Sequence, residues 1–454
     1  MREFLKKYPL FRKIRSALPE IISSNYHIYN YFRKFITLSE NYPPEEIKEF
    51  QFKQIKSLIQ YCWDHNDGYR THWEQGNFHP GKFLDLDDIL LIPDIFRETI
   101  KKDIQKFTNK GIKKIVSHQT GGTTGSPFRF YEEPKIAMIE KAFMHNLWSR
   151  FYPEINLKTK RTILRGKKIR DILDYDPMHG LLLSTFNITP ENVKSFIHAI
   201  EKYKTPIMHA YPSSLYFMCR IMHKHNLKLS HKFESIMLGS EKLYDFQRAF
   251  IKEILGAPVC HWYGQAEKVV LAGNNVADDL FHIYPQYGYS EVLTKTGERA
   301  KHGEKGEIVG TGFWNMATPF IRYRTMDLVE LGNNESNSYN LSYPVLNSIE
   351  GRMQDVIIGK SKNMLSLVNV ANICGLFPEI EQFQFVQNQI GRLNVIYKKL
   401  IRDSIIDEKK IYNQFKTYLG NEFDINLEEV TDIQTTVLGK FIYLKQELDI
   451  ESFL

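Results

Sequence analysis

Between Ser117 and Pro127 the chain reads Ser-His-Gln-Thr-Gly-Gly-Thr-Thr-Gly-Ser-Pro, five hydroxyls and three glycines in eleven residues. Glycines allow positive φ and bring backbone N–H groups close to a ligand, while Thr and Ser hydroxyls donate to phosphate oxygens without adding charge. This composition suits an anion-binding loop. A Walker loop ends in Gly-Lys-Ser/Thr, whereas Gly125 is followed here by Ser126 and Pro127, so a nucleotide triphosphatase of that kind is disfavoured. A solvated turn is the plainer alternative for the stretch taken alone. Downstream, Tyr263-Gly264-Gln265-Ala266-Glu267 puts an aromatic ring and a carboxylate on one loop. Pro319 to Asp327 contains Arg322, Tyr323 and Arg324, Gly351-Arg352-Met353-Gln354-Asp355 follows, and Gly439-Lys440 stands near the end.

The elements that must position these groups alternate between helix and strand. Pro44 opens a helical pattern through Ile47, Ile55, Leu58 and Cys62, and Pro134 opens another through Met138, Ala142 and Leu147. Pro206 to Ala210 reads as a strand, with Ser213 or Ser214 capping a helix that runs to about His225. Ser235 to Leu238 is a strand, Leu243 to Leu255 a helix ended by Gly256, and Pro258 to Trp262 a strand leading into the Tyr263 loop. This alternation implies an α/β fold with parallel strands and helical crossovers. Ligands of such sheets bind beyond the carboxyl ends of the strands, where Glu241 and the Tyr263 loop both fall. From about Tyr289 to Glu330 the pattern predicts an antiparallel layer, with Gly332 to Ser342 as an exposed hairpin tip. Phe383 to Val386, Leu393 to Tyr397 and a helix from Glu408 to Leu419 predict a small α+β unit at the end of the chain.

At 454 residues the chain exceeds the size at which single cores stop growing, so at least two domains are expected. We place an N-terminal domain at 1–350, with a basic extension at 1–43, and a C-terminal domain at 351–454 with a hinge near 351–355. Cys62, Cys219, Cys260 and Cys374 form no Cys-x-x-Cys pair, which argues against a disulfide framework or a zinc knuckle and for a reducing, cytoplasmic setting. Neither a membrane-length apolar run nor the apolar core of a signal peptide is apparent. The net charge of +7 comes from scattered lysines and arginines, a distribution that speaks against nucleic acid. The exception is residues 1–15, where Arg2, Lys6, Lys7, Arg12, Lys13 and Arg15 accompany Glu3 and several apolar residues. Two readings stay open there: peripheral contact with the anionic inner face of a membrane, or an ordinary N-terminal helix.

In order and spacing the five clusters resemble the core motifs of the adenylate-forming superfamily. Tyr211-Pro212-Ser213-Ser214-Leu215, Gly239-Ser240-Glu241 and Ile321 to Thr325 are similar to the wording of its phenylacetate-coenzyme A ligase-like family, in particular the capsular polysaccharide branch. The resemblance spans about Phe52 to Leu448. It implies a large adenylation domain, a small mobile C-terminal domain, and an ATP-dependent, AMP-forming ligase that activates a small carboxylic acid. By that resemblance Thr120, Gly121, Gly122, Thr123, Thr124, Gly125 and Ser126 grip the β- and γ-phosphates, with Thr123 among the catalytic groups. Glu267 holds Mg²⁺. Tyr263 and Gly264 lie against adenine, with Gly239, Ser240 and Glu241 on its other side. Asp327, assisted by Arg352, accepts from the ribose hydroxyls, and catalytic Lys440 spans the substrate carboxylate and the α-phosphate.

Each residue also has a plainer reading, Glu267 as a surface acid, Asp327 as a turn acid and His118 as a structural histidine. Arg322, Tyr323 and Arg324 alternate like a strand with one exposed face and are expected to act as scaffold for Asp327. Cys260 and His261, as strand neighbours, point to opposite faces and cannot pair. Three departures stand out from the family pattern: Gln354 where an acid usually serves as hinge, Met326 where glycine is frequent, and Ser361 to Leu367 in place of a Gly-x-Asn-Val-Phe-Pro-like segment. The last of these weakens the thioester half-reaction more than adenylation. The acceptor is therefore open between coenzyme A, the family default, and an amine or hydroxyl of a sugar or nucleotide-sugar. A nucleotide-binding scaffold without turnover is the contrasting class, and a homodimer is a family expectation.

Overall fold

Our computed structural model describes residues 26–119, 128–165, 169, 171–186, 188–334, 343–352, 356–362, 364–366, 370, 372–377, 379–401, 404–433 and 442–448. Contacts between residues divide the chain into two units: 1–159 with 262–348, and 160–261 with 349–454.

In the first unit the helix Pro44–His65 starts on a proline, which needs no partner for a missing N–H, and buries Ile47, Ile55, Leu58 and Cys62. The helix Asp67–Gln75 is capped by Asn66, whose side chain accepts from the Tyr69 N–H at 3.0 Å. The helix Ile136–Ser149 buries Ala142, Phe143 and Leu147. Three consecutive strands, Gly288–Leu293, Lys305–Gly312 and Tyr323–Leu331, pair antiparallel, as the sequence pattern predicts for this region. Gly288 lies so close to neighbouring backbone that a Cβ would meet Val269 O at 2.3 Å. Leu271–Gly273 pairs with Phe281–Ile283 on one side and with Trp262, Tyr263 and Gly264 on the other.

In the second unit Arg161–Leu164 runs parallel to Ile207–Ala210, which runs parallel to Ser235–Gly239. The helices Pro190–Tyr203, Pro212–Lys224 and Asp245–Leu255 bury Phe196, Leu215, Met218 and Ile251 in one core with these strands. The second of these helices begins at Pro212 with Tyr211 as its N-cap, not at Ser213 or Ser214 as expected. Proline at the first helical position fixes φ and moves the start forward. Gly256 takes a φ of 66° and ends the third, as predicted.

The C-terminal residues have a core of their own. The strands Asp424–Glu429, Arg392–Lys399, Ile380–Gln389 and Leu444–Gln446 form one sheet, on which the helix Glu408–Leu419 packs Phe415 and Leu419 against Phe383 and Phe385. Polar contacts join this sheet to the rest of its unit: Arg220 Nη2 to Ile380 O at 3.2 Å, Lys224 Nζ to Leu400 O at 2.6 Å, and Gln247 Nε2 to the Tyr443 hydroxyl at 2.7 Å. All four cysteines are buried as free thiols. Among the described residues no helix is long and apolar enough to cross a membrane. Residues 1–15 lie outside the described residues.

Candidate active site

In the first unit the structure brings Tyr263 and Asp327 together. The Tyr263 hydroxyl donates to Asp327 Oδ2 at 2.6 Å and accepts from Gln265 Nε2. Burial first, and then the Asp327 charge, push the Tyr263 phenol well above its usual range, so it remains a protonated donor. Gly264 is exposed beside it.

Asp327 owes its aim to a β-bulge. Glu307 pairs with Leu328 and Val309 with Arg324, so Ile308 alone faces Thr325, Met326 and Asp327. Met326 takes a φ of 61° inside this bulge, the left-handed conformation that glycine adopts at least cost. The turn is pinned by Thr325 Oγ1 donating to Ile308 O at 2.6 Å, by Asp327 N donating to Thr325 Oγ1 at 3.1 Å, and by Met326 N donating to Glu307 Oε1 at 2.9 Å.

Glu267 is half-buried, and its Oε1 accepts from the Tyr323 hydroxyl at 2.9 Å. Its other oxygen can still serve as a hard ligand, which fits the single carboxylate that Mg²⁺ commonly takes from protein when phosphates supply further oxygens. Among the described residues no group of three or more His, Cys, Asp or Glu could hold a metal by themselves. The loop is closed by Lys268, at a φ of 56°, whose N–H donates to Gln265 O at 3.1 Å and whose ammonium pairs with Glu132.

Glu132 belongs to the strand Arg129–Glu132, which pairs with Val116–Gln119 so that Gln119 lies opposite Arg129. The chain between them, and with it the expected phosphate contacts Thr120, Gly121, Gly122, Thr123, Thr124, Gly125 and Ser126, lies outside the described residues. His118 is half-exposed, stacks on Phe130 at 5.7 Å, and brings Nε2 to 3.5 Å from Glu132 Oε2.

The expectation of an exposed face on Arg322-Tyr323-Arg324 is corrected. Arg322 is only 5% exposed and binds Glu291 through Nε and Nη2, each at 3.0 Å. Arg324 Nε donates to Glu307 Oε2 at 2.8 Å and its Nη1 to Asp94 Oδ2 at 2.9 Å. Tyr323 is buried and reaches Glu267. The segment is thus interior, held by acids distant in sequence, and Tyr323 adds a contact to Glu267 that strand alternation could not disclose.

In the second unit the carboxyl ends of the parallel strands gather Arg165, Tyr211 and the loop Gly239-Ser240-Glu241. Ser240 is exposed at a φ of 69° and accepts from Arg165 Nη2 at 2.5 Å. Glu241 Oε2 accepts from the Ser213 N–H at 3.1 Å, at the first turn of the helix Pro212–Lys224. His261 Nε2 lies 3.4 Å from Glu241 O, and burial lowers its pKa to about 3, so the ring is neutral. The Arg165 guanidinium lies over the Tyr211 ring at 5.1 Å and its Nη1 is 2.6 Å from His209 Nε2. Arg165 and His209 escaped the sequence reading; the signal was an arginine just past the strand Arg161–Leu164, at the end where ligands bind. The sequence places the residues lining the pocket for the acid at Tyr211 to Leu215 and around Gly239, and of these Ser213 and Ser214 line a cavity together with Tyr216, Phe217, Phe246 and Tyr443.

Lys440, Gln354 and Asp355 lie outside the described residues. Arg352 ends the strand Val345–Arg352.

Comparison with known proteins agrees with this architecture. Residues 357–447 match the family model of the CapK C-terminal domain. Protein CapK of Staphylococcus aureus is 24% identical over 87% of this chain and 88% of its own. A phenylacetate-coenzyme A ligase of Aromatoleum evansii is 20% identical over 87% of this chain and 93% of its own. A crystal structure of 2-hydroxyisobutyryl-CoA ligase in the postadenylation state, in complex with R3-HIB-AMP, superimposes with a TM-score of 0.72 at 16% identity, covering 91% of this chain and 92% of that one. The chain shares the mixed α/β fold of this ligase structure, and its sequence is similar to CapK and to the phenylacetate-coenzyme A ligases.

Proposed function

We propose that this chain is an ATP-dependent, AMP-forming ligase that activates a carboxylic acid as an acyl-adenylate and passes the acyl group to coenzyme A. The observation that carries the reading is the Tyr263–Asp327 pair, a tyrosine hydroxyl 2.6 Å from a carboxylate whose direction is fixed by a bulge in its own strand. An aromatic face beside an ordered acceptor is what an adenine and its ribose hydroxyls require.

In the first step a carboxylate oxygen bonds to the α-phosphorus and pyrophosphate leaves; in the second the thiolate sulfur bonds to the acyl carbon and AMP leaves. Attack joins two anions, so positive charge must be in place beforehand. Bound Mg²⁺ offsets phosphate charge, and Glu267 is the residue that would hold it. Tyr263 and Asp327 orient the nucleoside, Thr120 to Ser126 orient the leaving phosphates, and Lys440 supplies a mobile point charge at the reacting oxygens. Turnover would then have residues past the hinge near 351–355 change position between the two steps.

Pyrophosphate exchange tests the first step. With Mg²⁺, no coenzyme A, and a panel of aryl, short fatty, hydroxy and amino acids, labelled pyrophosphate is expected to enter ATP in the presence of one acid class and not without acid. Absence of exchange with every acid, alongside measurable ATP binding, would favour the scaffold reading or a substrate presented only on a carrier or glycan.

A second acceptor reading has an observation behind it. At the start of the segment that replaces the family's Gly-x-Asn-Val-Phe-Pro-like run, Ser361 Oγ donates to Glu422 Oε2 at 2.6 Å, and just before it Lys360 Nζ donates to Asp424 Oδ1 at 2.6 Å. Together with the CapK relative, this favours an amine or hydroxyl of a sugar as the alternative acceptor.

A further inference from the structure

Arg165 stands where the two stretches expected to line the acid pocket meet. It stacks on Tyr211 of one and bonds Ser240 of the other. Its surroundings do not balance its charge. The Tyr211 hydroxyl, Ser240 Oγ and His209 Nε2 occupy three of its N–H groups, and all three partners are neutral. A guanidinium carries five such donors, so two remain.

His209 cannot supply a negative charge and does not add a positive one. Burial, then Arg165, then Arg161 hold its imidazole well below the usual range. Arg165 Nη1 lies 2.6 Å from its Nε2 and Arg161 Nη1 3.4 Å from its Nδ1, so the neutral ring sits between two guanidinium donors. Glu241 is the acid whose charge Arg165 feels, but its Oε2 is engaged with the Ser213 N–H. Among the described residues no carboxylate forms an ion pair with Arg165.

A half-buried guanidinium held only by neutral groups costs desolvation that an anionic ligand would offset, and its planar fork matches a carboxylate with two parallel hydrogen bonds. Ser240 is exposed, so a ligand can reach the pair from solvent. Energetics favour an unreacted group as the partner of such an arginine. An arginine clamped on the nucleophilic carboxylate would bind the ground state as tightly as the transition state and so gain nothing in rate.

We infer that Arg165 is a specificity-determining residue and that the acyl substrate is a dicarboxylic acid, whose second, unreacted carboxylate docks on Arg165 beside Ser240 and Tyr211. This rests on the ligase reading for taking the ligand to be the acyl substrate. Its test is therefore a binding measurement that needs no turnover.

Isothermal titration of the full chain, with and without AMP, would compare succinate, glutarate and phthalate with butyrate, valerate and benzoate. Wild type is expected to bind at least one diacid on the order of 10²-fold more tightly than its monoacid counterpart, and Arg165→Met to reduce that diacid to the monoacid level. Arg165→Lys, which keeps the charge but not the fork, should lose about tenfold, and Ser240→Ala less. AMP affinity should not change in the two Arg165 variants. The inference is overturned if no diacid binds, or if wild type binds diacids and monoacids alike. Equal loss of both acids in Arg165→Met would overturn it too, by assigning the arginine to the reacting carboxylate, and loss of AMP binding would do so by assigning it to phosphate. A melting transition in Arg165→Met verifies folding; if that variant fails to fold, the Arg165→Lys comparison decides. Missing pyrophosphate exchange beside a diacid preference would sink the ligase reading and leave Arg165 as a diacid-binding residue without an acyl-transfer role.

Discussion

Met326 sits at a φ of 61° immediately before Asp327, and Ser240 and Lys268 share that conformation at 69° and 56°. All three lie in or beside loops expected to meet the nucleotide, where sparsely populated backbone is commonly found. A non-glycine residue there costs about 1–2 kcal/mol, whereas glycine costs about 0.5–1 kcal/mol in chain entropy. Met326→Gly is therefore expected to stabilise the protein by about 0.5–1 kcal/mol, read from the urea midpoint, and to keep pyrophosphate exchange. Met326→Val puts a β-branched side chain at positive φ and should destabilise by about 1–2 kcal/mol while raising the KM for ATP, because Asp327 moves with it. If glycine destabilised and valine did not, the strain argument for this bulge would be wrong.

The strand pair Lys305–Gly312 and Tyr323–Leu331 shows how an element turns such a residue into a site. Glu307 is buried and accepts from both Arg324 Nε and the Met326 N–H, so one carboxylate holds the strand and the bulge together. Removing one partner of a buried pair costs about 3–5 kcal/mol, and Asp94 still contacts Arg324, which places Glu307→Ala near the lower end, about 3 kcal/mol. Glu307→Gln keeps an acceptor for Met326 N and should cost less. In thermal melts the order of stability is expected to be wild type, Gln, Ala, with the KM for ATP rising in the reverse order. The antiparallel strands themselves were legible from alternation and glycine spacing, as was the helix that begins at Pro44. The bulge was not, because register depends on what each residue meets across the sheet. Nor was the burial of Arg322, whose acid Glu291 lies 31 residues away. Alternation tells which residues share a face and is silent on whether a distant carboxylate covers it.

At the scale of the whole molecule, the order of the short clusters carried the resemblance to a family, and no single cluster could have done so. Arg165 went unread for the opposite reason: it belongs to no cluster, and its meaning comes from His209, Tyr211 and Ser240 around it. The residues past Ile357 build a separate core from Phe383, Phe385, Phe415 and Leu419. A segment with its own core can carry a side chain in and out of a site without unfolding, which is what a ligase with two consecutive steps asks of Lys440. Lysine suits that task as a compact charge on a flexible stem. Lys440→Ala is therefore expected to lower acid-dependent pyrophosphate exchange by roughly 10²–10³, by analogy with the loss of one donor to a developing oxyanion. ATP binding, measured by titration without acid, should be nearly unchanged, since the proposed nucleoside contacts are Tyr263 and Asp327. The second step gives a sharper reading. If Lys440 acts only in adenylation, the variant supplied with a chemically prepared acyl-adenylate should transfer the acyl group at close to the wild-type rate. A variant that fails in both steps would give Lys440 a part in transfer as well, and one that fails in neither would move the charge to another residue.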